Sequence, residues 1–128
     1  MSRIVHFEIH ASNPQVLIDF YSKLLGWSFN KFGEMDYWLI ATGPQEQTGI
    51  NGGLLKRPCA APGESPAMNA FVCTACIDSL DESVAQATSL GARLAFPKMA
   101  IPGVGWLAYI KDPDGNTLGL MQFDEKVK

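Results

Sequence analysis

The sequence predicts an α+β fold in which two tandem βαβββ modules form a barrel-like curved sheet bearing a cleft. Three observations predict it. A strand-like run, an amphipathic helix and three further strand-like runs follow one another in that order once in each half of the chain. Between the two copies lies RPCAAPGESPA, residues 57–67, broken by three prolines and a glycine. With 128 residues, 47% of them apolar and 18% charged, the chain can bury a core without disulfides or a structural metal. On this reading residues 1–128 form one domain, with modules 1–57 and 67–128 joined by the linker 57–67.

The first strand spans residues 3–10 and contains VHFEIH. Strand alternation puts Val5, Phe7 and Ile9 on one face and His6, Glu8 and His10 on the other. Asn13-Pro14 predicts a helix start, a capping side chain followed by proline at the first helical position. Val16, Leu17, Phe20, Tyr21, Leu24 and Leu25 recur at helical spacing as one apolar stripe, and Gly26 supplies a left-handed stop. Strands are expected at 27–32, 37–41 and 49–56. In the second half a strand at 68–77 leads to Ser79-Leu80-Asp81-Glu82, a capping box. Val84, Ala87 and Leu90 give the helical stripe, which Gly91 ends. Strands at 93–97, 105–111 and 117–123 complete the module, the last two joined by the turn Asp112-Pro113-Asp114-Gly115. A helix covers only one face of each sheet, so each module needs a partner for the other, and two facing modules leave a cleft suited to a ligand.

Composition excludes several classes. The net charge is −3 and the ten basic residues are scattered, which offers no track for nucleic acid or an anionic membrane. The N-terminus has no apolar signal core, and no apolar run approaches the ~20 residues that span a bilayer. A cytoplasmic protein is expected. Cys59, Cys73 and Cys76 are an odd count, against a disulfide framework. Cys73 and Cys76, three apart on a strand, face opposite sides and are expected to be small buried side chains. No Gly-rich phosphate loop follows a strand and no serine sits in a nucleophile elbow.

HFEI at 6–9, DFYSKLLGW at 19–27, INGGLLKRP at 50–58, PKMAIPGVGWLAYIKDPDGN at 97–116 and LGLMQ at 118–122 span nearly the whole chain. Together they resemble the vicinal oxygen chelate superfamily, which holds glyoxalase I, extradiol dioxygenases, and the bleomycin and fosfomycin resistance proteins. Within it they resemble the small bacterial glyoxalase-like proteins. The resemblance implies that a metal site would draw its ligands from the first and last strands of both modules, with one position open for substrate. His6 falls on the first of these positions. The others fall near Val72, on Gly52 or Gly53, and on Gly119, none of which ligates through a side chain.

The residues themselves lead to the same place. A catalytic divalent ion takes about three protein ligands at ~2.0–2.3 Å. His6 and Glu8 stand ~6.6 Å apart along a strand, near enough to lean toward one ion, whereas His10 lies ~13 Å from His6. Of the thirteen acidic residues only Glu8 lies well inside a predicted strand. No resident metal or other cofactor is therefore expected, and a divalent ion recruited with substrate is the alternative.

His6 and Glu8 are the candidate catalytic residues. A carboxylate beside an imidazole fixes its tautomer and favours its charged form, which suits a general base or an anchor for a polar ligand; the competing reading is a pair that merely satisfies itself. The expected ligand lining is His6, Glu8, Trp38, Asn51, Gly52, Gly53, Ile101, Trp106, Tyr109 and Met121. Gly52 and Gly53 would enlarge the cleft and expose backbone amides. The segment 99–106 would close over a ligand with Trp106 as an aromatic wall. Met121 shares a strand face with Gly119.

The expected function is a small-molecule-binding, bleomycin-resistance-like protein holding a partly aromatic organic ligand without the full metal site. The alternative is a metal-dependent lyase, isomerase or dioxygenase of the same superfamily. A homodimer is expected, with Trp27 and Phe29 suited to its interface.

Overall fold

The structure, a computed structural model, describes residues 3–61 and 72–128. The chain divides into two compact units, Met1–Ala61 and Pro62–Lys128. Each unit is a βαβββ module of the α+β class built on one open four-stranded sheet. The linker from residue 62 onward and the start of the expected strand at 68–77 lie outside the described residues.

The first unit runs β1 (Phe7–Ala11), α1 (Pro14–Leu25), β2 (Ser28–Lys31), β3 (Tyr37–Ala41) and β4 (Gly52–Lys56). Its strands lie in the order β1-β4-β3-β2, with β1 parallel to β4 and the other pairs antiparallel. Pro14 opens α1, and Gly26 closes it at φ 73° with its N–H on the Ser22 carbonyl, the conformation that glycine adopts most easily. The Asn13 side chain makes no capping hydrogen bond, contrary to expectation. Leu17, Phe20 and Tyr21 bury the stripe, whereas Val16 at its margin stays exposed. β1 begins at Phe7 rather than Arg3, because Phe7 is the first residue with a partner on β4. His6 therefore stands just ahead of the strand.

Register sorts the first sheet into two faces. Phe7, Gly52 and Ile40 align on the α1 side, as do Ile9, Leu54 and Trp38. There Trp27 lies 5.6 Å from the Phe7 ring and stacks at 5.3 Å on Tyr21 of α1. Trp27, expected at a dimer interface, is thus engaged within its own unit. The opposite face carries Glu8, Gly53 and Leu39 in one row and His10, Leu55 and Tyr37 in the next.

The second unit runs β5 (Cys73–Cys76), α2 (Leu80–Ser89), β6 (Arg93–Ile101), β7 (Gly105–Lys111) and β8 (Thr117–Phe123). The order β5-β8-β7-β6, with β5 parallel to β8, repeats that of the first unit. The Ser79 hydroxyl accepts the Glu82 N–H at 3.3 Å, as the capping box predicts. The Leu80 N–H donates to Gln122 Oε1 at 2.8 Å, which docks the helix start on β8. Leu80, Ala87, Ala108, Ile110 and Leu120 form the core between helix and sheet. At the β7–β8 turn the buried Asp112 carboxylate accepts from the Asp114 N–H at 2.8 Å, the Asn116 N–H at 3.0 Å and Asn116 Nδ2 at 2.9 Å.

Two expectations need correction here. β6 does not stop at Pro97 but continues to Ile101, with register shifts between Leu94 and Phe96 and between Phe96 and Met99. Such irregularities on an edge strand absorb a proline. The expected closing segment 99–106 therefore shrinks to a tight turn at 102–104, with the Val104 N–H on the Ile101 carbonyl at 2.9 Å. Cys73 and Cys76, on the edge strand β5, are exposed rather than buried, and Cys59 is exposed as well. No helix among the described residues is long and apolar enough to cross a membrane.

Candidate functional site

Tyr37 opens β3, with β4 lying between it and β1. Its side chain leans across β4 over Gly53, and its hydroxyl donates to Glu8 Oε2 at 3.0 Å. His6 Nε2 lies 3.1 Å from the same hydroxyl and 3.6 Å from Glu8 Oε2. A phenol has one proton, and Glu8 receives it. The phenol oxygen must then accept from His6 Nε2–H. In a neutral ring this direction of donation selects the Nε2–H tautomer of His6, with Nδ1 left as an acceptor. The result is a three-residue chain, imidazole to phenol to carboxylate. The His6 and Glu8 side chains keep 46% and 44% of their surface in solvent. The Tyr37 hydroxyl is held above its ordinary pKa of 10.0, first by partial removal from water, then by its hydrogen bond to Glu8 and by that carboxylate's charge. It remains a proton donor at neutral pH.

Glycine at position 53 is what lets the phenol cross. A Cβ there would press far inside contact distance of the Tyr37 hydroxyl oxygen, so a side chain would push Tyr37 from its place. Gly53 does not enlarge a hollow as expected, because Tyr37 fills the space. Gly52 faces the α1 side instead, where a Cβ would come within 2.7 Å of the Phe7 ring carbons. Asn51 Oδ1 accepts from the Thr42 N–H at 2.9 Å and lies 3.3 Å from Thr42 Oγ1, which ties together the ends of β3 and β4. Trp38 stands on the α1 side with Lys31 Nζ 5.6 Å from its ring centre. Of the residues expected in this unit, His6, Glu8 and Gly53 come together, while Trp38, Asn51 and Gly52 do not join them. Tyr37 completes the group and was missed. The available signal was the alternation of Tyr37 and Leu39 against Trp38 and Ile40, beside a glycine-bearing strand.

In the second unit Ile101, Tyr109 and Met121 share the sheet face that α2 leaves uncovered, paired with Gly105, Gly119 and Leu107. The Tyr109 ring and Thr74 Oγ1 crowd Gly119, where a Cβ would lie 3.1 Å and 2.6 Å from them. Trp106 lies on the other face, paired with Gln122 on the α2 side. Lys98 Nζ sits 4.8 Å from its ring centre and 3.2 Å from Asp81 of α2. Trp106 is therefore packed beside the helix and does not join Ile101, Tyr109 and Met121.

The register also tests the fit of a metal ion. Glu8 aligns with Gly53 in the first unit as Thr74 aligns with Gly119 in the second. Two residues earlier, His6 thus corresponds to Val72. Among the described residues no three His, Cys, Asp or Glu side chains converge on a point. His6 and Glu8 supply two donors where a catalytic divalent ion takes about three, and Tyr37 covers the backbone where another would start. The described residues do not bring together the three donors that a resident divalent ion takes. What they can do is hold a ligand by hydrogen bonds and pass a proton along the chain.

The model of the glyoxalase-like domain matches residues 6–121. No curated protein matches the chain in sequence. Solved structures do match it in fold. A glyoxalase/bleomycin resistance protein/dioxygenase family enzyme from Burkholderia phytofirmans PsJN superposes with TM-score 0.73 at 15% identity, over 93% of this chain and 97% of that one. The fosfomycin resistance protein FosX from Listeria monocytogenes gives 0.72 at 13% identity, over 97% and 93%. A glyoxalase-related enzyme from Fulvimarina pelagi gives 0.68 at 14% identity, over 95% and 88%. At these identities the likeness is one of fold. With its βαβββ order repeated in both units and residues 6–121 matched, the chain belongs to the glyoxalase-like domain family of the vicinal oxygen chelate superfamily.

Proposed function

We propose that this protein binds a small organic molecule through the chain His6–Tyr37–Glu8 and does so without the full metal-ligand set that the superfamily resemblance implies. The observation that carries the reading is the Tyr37 hydroxyl seated over Gly53, where it bridges His6 and Glu8 in place of a third donor. Its donors and acceptors are ordered end to end, and apolar side chains stand beside it. A few placed polar groups beside apolar surface are what a ligand site uses to fix orientation. The alternative, a metal-dependent lyase, isomerase or dioxygenase, requires a third protein donor that neither Gly53 nor Tyr37 in its present hydrogen bonds offers. The reading includes a cytoplasmic homodimer, of which sedimentation of the purified protein tests the oligomeric state.

The test of function is purification without added metal, elemental analysis, and a thermal-shift screen of organic compounds with and without chelator. Stabilisation by organic compounds that chelator does not touch, and that Tyr37→Phe and His6→Ala abolish, is the expected result. A stoichiometric divalent ion whose removal lowers the Tm overturns the proposal.

A further inference from the structure

We infer that the ligand's head group is a cation with several N–H donors, an ammonium or amidinium, carried on an aromatic or apolar body. The inference rests on the binding role proposed above and follows from counting protons. Tyr37 gives its proton to Glu8 Oε2 and takes one from His6 Nε2. Two polar atoms of the chain then have no partner among the described residues: Glu8 Oε1 and, in the neutral ring, His6 Nδ1. Both are acceptors, and one belongs to an anion.

The head groups can be ranked against that surface. A carboxylate or phosphonate brings lone pairs and like charge to a place that offers it no donor. An alcohol has one proton for two acceptors. An ammonium has three, enough for both acceptors, and it neutralises the carboxylate through a charge-assisted bond. The body of the ligand is set by the neighbours. Phe32 lies edge-on to Tyr37 with ring centres 6.5 Å apart and is 54% exposed. Leu39, on the same sheet face as Tyr37, is 45% exposed. Exposed apolar side chains beside an anionic end suit a ligand with a flat or greasy stem and a positive tip.

Phenethylamine, phenethyl alcohol and phenylacetate share an aryl stem and differ in head group. Each is titrated into isotope-labelled full-length protein at neutral pH while the amide signals of Glu8, Tyr37 and Gly53 are followed. The amine is expected to shift these signals saturably and to bind about tenfold more tightly than the alcohol, and Glu8→Gln to remove about that factor for the amine alone. Phe32→Ala weakens amine and alcohol alike. Phenylacetate binding as tightly as the amine at these amides overturns the inference and leaves the binding role standing. So does an unchanged amine affinity in Glu8→Gln. If all three probes are silent and the wider screen returns no compound of any charge, the binding role falls with it.

Discussion

Replacing Gly53 by alanine tests the central contact with a single methyl group. The added Cβ would clash with the Tyr37 hydroxyl and crowd the ring behind it, so Tyr37 must swing away. That breaks its hydrogen bonds to Glu8 and His6, worth about 1 kcal/mol each at an exposed site. Against this, alanine lowers the entropy of the unfolded chain and returns about 0.5 kcal/mol, since Gly53 does not need a positive φ. The net cost in the parent is about 1.5 kcal/mol. With Tyr37→Ala already in place the clash is gone, and the same methyl group stabilises by about 0.5 kcal/mol. The double-mutant cycle therefore carries a coupling of about 2 kcal/mol, measured by urea unfolding of the four proteins. A coupling indistinguishable from zero refutes the reasoning, because Tyr37 would then not occupy the space over Gly53.

Three further outcomes follow from the same geometry. The folded Tyr37 holds its proton more tightly than the unfolded chain does, so its contribution to stability is complete below pH 10.0 and is lost as pH rises through the raised value. Phenolate absorbance, taken as the difference from Tyr37→Phe, places that step above 10.0, and Glu8→Gln moves it down; a step at or below the ordinary value contradicts the hydrogen bond. Asp112→Ala strands the donors of Asp114 and Asn116 and costs about 3 kcal/mol in urea unfolding, and a loss under about 1 kcal/mol shows that the turn does not depend on its carboxylate. Ser79→Ala removes the cap of α2 for about 1 kcal/mol and Ser79→Asp restores it; equal stability of all three removes the cap from the account.

The fold was legible because its signals are local. Pro14, Gly26, the box at Ser79 and the turn at Asp112 each act within a few residues, and the repeated order of strand and helix signals reveals the duplicated module. His6 and Glu8 were legible for the same reason, since strand alternation alone puts them on one side. Tyr37 was not, because its meeting with them depends on the strand order β1-β4-β3, which brings residues 29 and 31 positions apart into contact. Trp38 and Trp106 show a second limit. Each lies in a strand that the sequence located well, yet the face a strand residue takes turns on a register that slips by one without changing composition. Pro97 shows a third. Read as a strand end, it instead sits within a bulged edge strand, where its missing N–H has no neighbour to disappoint.

The seat of the phenol on a bare backbone has a consequence for descent. An acidic residue at 53 and a tyrosine seated as Tyr37 is claim the same space, so a chain that gains the first must move the second. Passage between a chain with an acidic residue at 53 and a chain like this one requires β3 and β4 to change in concert, or a crowded intermediate to be survived. In related proteins a bulky residue at the first position is expected to travel with a small one at the second, so that the pair records which chemistry each branch has kept.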